Sequence, residues 1–533
     1  MTRSWWMAVN AVWAIALMFA VASCGCGDDD DDDDSAVIPD DDTVDDDATD
    51  DDADDDSGDD DTWPPLPDDD ADDDTGDDDT QLPDDYIASW PQSNVANPDY
   101  DETPTAGDLR AKADEYDEWH KEWHQPGYGG NIHTTFSDDT HTTVTGYHGW
   151  GDSCIWTGTY LGSQALRYHA TGDPVAKDNA VRMVDVLAGY YYVTETPGFI
   201  ARYWAPQSIL SYGGHPWCEA NDRCHHVESG EFAGDWWWGE TSRDQYTGWF
   251  YGMSLAYDLV DDEDTRQTIR DVMTEVLDGV IANNWWIIDE AGERTDAAPD
   301  ILPPQALDWA LIGYHITGEE RFADEVRTWI RDSQRLQIQF SSIALFNHYA
   351  QYYGNNLAHT NWFNLLRLGK AYFSPEDYAF LLDVFDTQVH TFTRLSHNPW
   401  FTAIYMSTDA YVPERDDPYQ VQLEEDLTAF HSAPNVEYYL DARVGWTPDP
   451  FSVLLNDLQT QFPFLEEVMG TANVQALEAF PVDQQCSSGF MFQKNPFAVD
   501  ACGSDDPTIV NSGHDYLAAY WTAAYLGRLT KDQ

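Results

Sequence analysis

Apolar residues recur at helical spacing through most of the chain beyond about residue 105. The clearest case is the segment 262–284, where the apolar positions follow one another at steps of three and one. They are Ile269, Val272, Met273, Val276, Leu277, Val280 and Ile281. This spacing places them on one stripe of a helix, so the pattern predicts an amphipathic helix with a polar outer face. Segments 322–330 and 378–392 repeat the pattern.

A second kind of segment precedes each amphipathic helix and is apolar, aromatic or small on all sides. Apolarity around the whole circumference predicts a helix that is buried on every side. These inner-type segments are 153–169, 245–260, 305–316 and 357–371, with 516–529 as a final example. A helical segment at 108–123 opens the series and is amphipathic. The unit of inner helix, short turn and outer helix therefore occurs at least four times.

The turns between paired helices repeat as well. YHATGD at 168–173 matches YHITGE at 314–319, and in both a glycine ends one helix and an acid opens the next. This order follows from the C-cap preference of glycine and from the helix dipole. Ser374 and Pro375 predict the same turn with a capping serine and a proline at the first helical position. Residues 405–480 are too irregular to assign.

Strand signals are few and fall in loops such as 142–145. Helical hairpins with buried inner helices must close their core, and a ring of inner helices within a ring of outer helices does so. Over roughly residues 105–530 the chain resembles the six-hairpin (α/α) toroids of glycoside hydrolases and polysaccharide lyases. The resemblance rests on architecture and motif placement and on no single family's signature. We therefore expect an all-α toroid of about six hairpins over residues 86–533, and the resemblance implies action on carbohydrate.

The N-terminus has the features of an export signal. Arg3 precedes an apolar stretch, residues 7–21, that is too short to favour a membrane span. The stretch ends in VASC, residues 21–24, which resembles the lipobox of bacterial lipoproteins. That resemblance implies removal of residues 1–23, acylation of Cys24 with fatty acids such as palmitate, and anchoring in a lipid bilayer. Gly25 favours the outer membrane or cell surface. An ordinary secretory signal is the alternative.

An aspartate-rich segment follows the anchor, and residues 24–85 are expected to form a disordered tether. Between Asp28 and Asp85 there are 33 aspartates and neither lysine nor arginine. Calcium binding is the alternative, although no ligand spacing supports a defined site. Removing those 33 from the 99 acidic residues leaves 66, against 25 basic residues. Nucleic-acid binding is therefore not expected, and a polyanionic substrate would require a local cluster of arginines.

Seven cysteines are consistent with export to an oxidising compartment. Besides Cys24 and Cys26 in the N-terminal region, we predict disulfides within two pairs close in sequence and a buried free thiol at Cys154. The predicted pairs are Cys218 with Cys224 and Cys486 with Cys502. The alternative for residues 215–226, which contain three histidines, is a zinc site. Its spacing matches no known pattern, so no metal or other cofactor is expected.

Polar residues stand just before the inner helices, whose N-termini share one end of a toroid. Glycoside hydrolysis uses two carboxyl groups, one protonated and one ionised, and the candidates are Asp152 and Asp244, with Asp515 as a third. Capping of each helix by its own aspartate is the alternative. Candidate substrate-binding residues are Trp156, Arg202, Arg243, Tyr246, Trp249, His359 and Trp521, with Asn355, Asn356, Trp362 and His514 nearby in the pattern. Aromatic faces stack on sugar rings, although filling a wide core is the alternative for the tryptophans.

Three other functions remain to be weighed. A non-catalytic lipoprotein could bind glycan or protein through the same aromatic mouth. A polysaccharide lyase would use a tyrosine or histidine base and neutralise a uronate with arginine, asparagine or histidine, but the acidic composition counts against it. Gly151-Asp152-Ser153 resembles the motif of GDS-type esterases. That motif belongs after a strand in an α/β fold, whereas here it opens a helix, so we reject it.

Overall fold

The computed structural model describes residues 109–210, 223–295, 302–413 and 417–529. The predicted signal peptide, Cys24 and the aspartate-rich tether lie outside these ranges, as do the boundary at residue 86 and Cys218. Within the ranges, no helix combines the length and the apolarity required to cross a bilayer.

Helices make up most of the described chain. In order they are α1 Leu109–Trp123, α2 Ser153–Thr171, α3 Pro174–Tyr192, α4 Gln207–Leu210, α5 Arg243–Leu259, α6 Glu263–Ala282, α7 Pro303–Thr317, α8 Glu320–Ile330, α9 Asp332–Ser341, α10 Leu345–Tyr349, α11 Tyr353–Tyr372, α12 Pro375–Val384, α13 Pro399–Met406, α14 Asp417–Ala429, α15 Pro450–Gln461, α16 Phe464–Met469 and α17 His514–Tyr525.

Six of these helices form a closed inner ring. Each contacts the next in the order α2, α5, α7, α11, α13 and α17, and α17 returns to α2. Six others, α1, α3, α6, α8, α12 and α14, pack outside this ring against α17, α2, α7, α7, α11 and α13 respectively. The inner helices are buried almost throughout, whereas α6 and α8 bury one stripe each. The predicted all-α toroid of six hairpins is therefore confirmed.

A buried ionic network shows that three inner helices run in the same direction. Asp258 lies in the last turn of α5, and its carboxylate binds Arg367 of α11 and, at 2.7 Å, Nε2 of His315 in α7. Both partners stand towards the C-terminal ends of their helices. Because the C-terminal ends meet here, the N-terminal ends of the same helices lie together at the opposite end of the ring.

Short strands cover that N-terminal end. Strands β1 His133–Phe136, β2 Val144–His148, β3 Tyr203–Pro206, β4 Cys224–His226, β5 Asp235–Trp238, β6 Asn435–Val436 and β7 Ile509–Asn511 form two antiparallel sheets. Their orders are β2-β1-β7-β6 and β3-β5-β4. Strands β2, β5 and β7 lead into inner helices α2, α5 and α17, so the sheets form the surroundings of those helix starts. The strand predicted at 142–145 lies slightly later, as β2.

The predicted turns are also confirmed. Gly172 and Gly318 both adopt φ 68°, a left-handed conformation that glycine tolerates. Each donates its N–H to the carbonyl four residues earlier. Ser374 accepts a hydrogen bond from the amide of Asp377, with Pro375 at the first helical position.

The sequence pattern missed the fifth inner helix, α13. This helix has eight residues, all buried, and is capped by Asn398 with Pro399 at its start. Two turns are too short to show a helical period, and an apolar run of that length is equally compatible with a strand. Only its position in the ring identifies it as an inner helix.

Helices α2 and α5 approach each other more closely than side chains would permit. A Cβ added to Gly158 would overlap the backbone carbonyl of Gly248, and one added to Gly248 would lie 2.5 Å from the carbonyl oxygen of Ile155. Gly252 is packed just as tightly against Gly158. Backbone therefore packs on backbone along the first turns of both helices, and this contact brings their N-terminal residues together.

Candidate active site

Asp152 is the residue directly before α2, and its carboxylate does not cap that helix. It ends a short 3-10 helix, Trp150–Asp152, and its side chain makes no capping hydrogen bond. The side chain is 39% exposed, and Oδ1 lies 3.9 Å from Nη1 of Arg202. Burial raises the pKa of Asp152, while Arg202, Lys494 and a hydrogen bond from Gln245 oppose that rise. The capping alternative therefore does not account for this carboxylate.

Asp244 lies in the first turn of α5, close enough to Asp152 for their charges to repel. Burial and, to a smaller extent, the neighbouring charge of Asp152 together raise the pKa of Asp244 to about 6. Arg243 and Arg202 act against this rise. The two predicted catalytic aspartates thus form one like-charge pair. A pair of this kind holds one proton more readily than either group would alone.

Two side chains fix the loop that carries Asp152. The carbonyl oxygen of Gly151 accepts hydrogen bonds from Nη1 of Arg202 at 2.6 Å and Nε2 of Gln245 at 3.0 Å. Gln245 also accepts the backbone N–H of Ile155, and Arg202 donates Nε to the carbonyl of Glu240. The orientation of the Asp152 carboxylate is therefore preorganised by the protein before any ligand enters.

Partly exposed aromatic rings surround the pair. A Cβ added to Gly151 would lie 3.6 Å from the ring of Trp238, which is partly exposed. Trp150 packs edge-on against Tyr203 with 4.8 Å between ring centroids. Tyr353, the first residue of α11, is 45% exposed, and both burial and the charge of Asp244 raise its pKa. These rings offer flat apolar surface beside two carboxyl groups.

Asp515, the third predicted catalytic residue, has a structural role. Its side chain is buried, and its two oxygens accept the backbone N–H groups of Tyr516 and Met491 at 3.0 and 3.2 Å. Burial raises the pKa of Asp515 to about 6, and no charge of Asp152 or Asp244 contributes. The prediction of a catalytic role for Asp515 is corrected accordingly, since its carboxylate is already used to hold the chain around Met491.

The predicted substrate-binding aromatic residues and His359 are core residues, and those predictions are also corrected. All are at most 3% exposed: Trp156, Tyr246, Trp249, His359, Trp362 and Trp521. Tyr246 donates its hydroxyl to the carbonyl of Gly198, and Trp249 donates Nε1 to the carbonyl of Leu187. His359 stacks on Phe401 with 4.0 Å between centroids. Inner helices need large side chains to fill the ring, and this requirement explains the tryptophans.

Of the predicted substrate-binding residues, the two arginines remain at the site. Arg202 reaches it from the segment before β3, and Arg243 is the first residue of α5. Four further residues at the site were not predicted: Gln245, Trp238, Tyr353 and Lys494. Tyr353 starts α11 and Gln245 lies in the first turn of α5, so their place in the pattern could have indicated them. Nothing in the sequence indicates Trp238, the last residue of β5, or Lys494, which directly follows a short 3-10 helix, Met491–Gln493.

The cysteine predictions have three outcomes. Cys224 is disulfide-bonded, but its predicted partner Cys218 lies outside the described residues, so that pairing stays a prediction. Cys154 is a buried free thiol, as predicted. Cys486 and Cys502 are free thiols in hydrogen-bond contact with each other, which corrects the predicted disulfide. Their sulfurs are adjacent without being bonded.

No metal centre is evident in the described part of the chain, where no group of three or more His, Cys, Asp or Glu side chains is placed to hold an ion. For the zinc alternative, His225 is within the described ranges and binds Glu290 at 2.9 Å while stacking on Trp237. His215 and Cys218 lie outside those ranges.

The chain was compared with protein-family models, curated proteins and solved structures, and similarity is found only among the solved structures. No protein-family model matches the chain, and neither does any curated protein. Among solved structures, the cellulase Cel9M of C. cellulolyticum is similar, with 12% sequence identity over 79% of this chain and 98% of the cellulase, and a TM-score of 0.37. The toroidal arrangement of the helices rests on the helix contacts of this chain.

Proposed function

We propose that the protein is a glycoside hydrolase in which Asp152 and Asp244 are the catalytic pair. The observation that carries the proposal is that two partly exposed carboxyl groups stand at the adjacent N-terminal ends of α2 and α5, which pack backbone against backbone. Glycoside hydrolysis needs one carboxyl group that donates a proton to the leaving oxygen and one that is ionised. Environments that push two carboxyl pKa values apart supply such a pair.

The surroundings suggest which group takes which role. Burial raises the pKa of Asp152, but Arg202 and a hydrogen bond from Gln245 oppose this rise and favour its ionised form. Asp244 has a pKa of about 6 and therefore retains its proton in part of the population near neutral pH. We assign Asp244 as the general acid and Asp152 as the base or nucleophile. Trp238, Trp150 and Tyr353 supply ring faces on which a sugar could stack.

The main alternative is a non-catalytic protein that binds its ligand through the same aromatic residues, Trp150, Trp238 and Tyr353. If the protein only binds its ligand, the aspartates at the starts of the inner helices would do no more than cap those helices. Asp515 behaves in this way, since it accepts the N–H of Tyr516. Asp152 makes no capping hydrogen bond, and its carboxylate is held by side chains from other elements. This difference favours catalysis over binding alone.

The test is a hydrolysis screen of the full chain on a panel of oligosaccharides, comparing wild type with Asp152→Asn and Asp244→Asn. Loss of a general acid or a nucleophile removes several powers of ten in kcat, so we expect a loss of at least about 10²-fold in each variant. Asp278→Asn is the control, because this half-exposed residue of α6 pairs with Arg321 and with no other cation in the described part of the chain.

Three results would contradict the proposal. Turnover that survives both substitutions would exclude the assigned pair. Oligosaccharide binding without turnover, unchanged by either substitution, would favour the binding protein. An unsaturated product would identify a lyase instead.

The chain's location is a separate proposal. We propose that Cys24 carries fatty acid and holds the protein at the outer membrane or cell surface, because VASC at 21–24 resembles a lipobox. Mass spectrometry of the mature N-terminus tests this: the expected species begins at an acylated Cys24. A mature chain that contains an unmodified Cys24, or one that begins after Cys24, would contradict this proposal.

A further inference from the structure

The sheet β3-β5-β4 turns one face towards the loop that carries Asp152. Residues that pair directly in an antiparallel sheet project to the same face, so Tyr203 and Trp238 stand side by side on it. Trp150 packs on Tyr203 with 4.8 Å between ring centroids, and a Cβ added to Gly151 would lie 3.6 Å from the ring of Trp238. This end of the face therefore lies against the two residues that precede Asp152.

The same face continues to a second tryptophan, two residues further from the site. Trp236 pairs with Ala205 of β3 and with His226 of β4, and 4.9 Å separate the ring centroids of Trp236 and His226. Trp236 and Trp238 are partly exposed, and His226 is exposed. Two indole rings thus follow one another along β5 from the neighbourhood of Asp152, with an imidazole beside the second.

The tryptophan between them shows what a core residue of this sheet looks like. Trp237 projects to the opposite face and is 6% exposed. Its ring stacks on His225 with 4.1 Å between centroids and meets the edge of Phe199 at 6.1 Å. Strand alternation therefore assigns Trp237 to the core and leaves Trp236 and Trp238 on the face towards the site. Partly exposed aromatic surface beside polar groups is typical of a binding site.

We propose that Trp236, Trp238 and His226, here called the tryptophan platform, hold consecutive residues of a saccharide chain. The substrate is then an oligosaccharide or polysaccharide of at least three sugar residues. This proposal rests on the proposed glycosidase function and names its substrate class.

The spacing of the platform sets this minimum length. Two positions apart on a strand, the Cα atoms of Trp236 and Trp238 are separated by roughly 7 Å, which is more than the width of one sugar ring. Each indole therefore stacks on a different sugar residue, and the imidazole of His226 can hydrogen-bond to a hydroxyl group of the outer one. A third sugar residue must lie beyond the bond that Asp152 and Asp244 cleave.

The experiment compares short and long saccharides built from the same sugar. Calorimetry measures binding of the full-length protein to two-residue and six-residue oligosaccharides of the cello-, xylo-, manno- and malto- series. Wild type is compared with Trp236→Ala, which removes the ring, and with Trp236→Phe, which retains an aromatic ring. The control is Phe340→Ala, because Phe340 is a 44% exposed residue of α9, outside the inner ring. Circular dichroism confirms that each variant is folded.

We expect at least one six-residue oligosaccharide to bind about tenfold or more tightly than its two-residue form, because only the longer chain covers both indoles and spans the cleaved bond. This preference should fall by about fivefold or more in Trp236→Ala. It should remain in Phe340→Ala and be largely restored in Trp236→Phe.

Equal binding of short and long oligosaccharides, no binding of any six-residue oligosaccharide, or a preference that survives in Trp236→Ala would overturn the proposal. Dimerisation that is lost in Trp236→Ala would also overturn it, by showing that a second copy of the protein covers this face. Hydrolysis that requires Asp152 but is independent of saccharide length and of Trp236 would overturn the platform and leave the glycosidase intact. A Trp236-dependent preference without any hydrolysis would support the platform and contradict the glycosidase.

Discussion

Burial of Asp244 beside the charge of Asp152 predicts that removing the Asp244 carboxylate makes the protein more stable. The pKa of Asp244 is about 6 in the folded chain, against an ordinary value of 3.8. Because the pKa is higher in the folded state, ionisation of Asp244 opposes folding. This loss of folding free energy is absent below about pH 3.8, where the group is protonated in both states, and is complete above about pH 6. At about 1.4 kcal/mol per pKa unit, the ionised group destabilises the fold at neutral pH by about 3 kcal/mol.

Asp244→Asn keeps the shape of the side chain and removes the charge. We expect it to raise the free energy of unfolding at pH 7.5 by up to about 3 kcal/mol relative to wild type, with almost no change at pH 4. For a folded domain of this size the unfolding entropy is on the order of 0.9 kcal/mol per kelvin, so Tm should rise by about 3 °C. Hydrolytic activity should be lost in the same variant.

Thermal and urea unfolding at pH 4, 5, 6 and 7.5 measures the effect, with Asp278→Asn as control. That surface substitution should change stability by less than about 1 kcal/mol at every pH, because it breaks only an exposed ion pair. The reasoning is refuted if Asp244→Asn is no more stable than wild type at pH 7.5, or if its effect is the same at pH 4 and pH 7.5.

Three further outcomes are expected. Gly158→Ala should destabilise the fold by more than about 2 kcal/mol, because the added Cβ would overlap the backbone of α5. The same substitution should lower activity by separating Asp152 from Asp244. Unchanged stability in chemical denaturation would contradict the close contact. Asp258→Asn should destabilise the fold by about 3–5 kcal/mol, because it leaves Arg367 buried without its partner. Ion pairing lowers the pKa of Asp258, so the wild-type protein should lose this stability as the pH falls below about 4. A variant as stable as wild type at pH 7 would exclude the effect. Alkylation of unreduced protein followed by mass spectrometry should label Cys486 and Cys502 as free thiols, whereas a peptide pair linked through both would show the disulfide.

Hydrophobic periodicity in the sequence determined the architecture. Buried inner segments alternate with striped outer segments, and a closed double ring buries both kinds. The repeated turn at Gly172 and Gly318 marks the helical hairpin. The same pattern placed Asp152 and Asp244 at helix starts on one rim. These features depend on neighbouring residues along the chain, which is why they can be read without coordinates.

Tertiary structure alone decided which rim residues belong to the site. Asp515 and Asp152 both stand at the start of an inner helix in the sequence. Asp515 is buried and accepts the N–H of Met491, whereas Asp152 is partly exposed beside Arg202. Lys494 reaches the site from a loop far along the chain. Such outcomes depend on contacts between distant segments, above all the backbone packing of α2 on α5, and residue order does not encode those contacts locally.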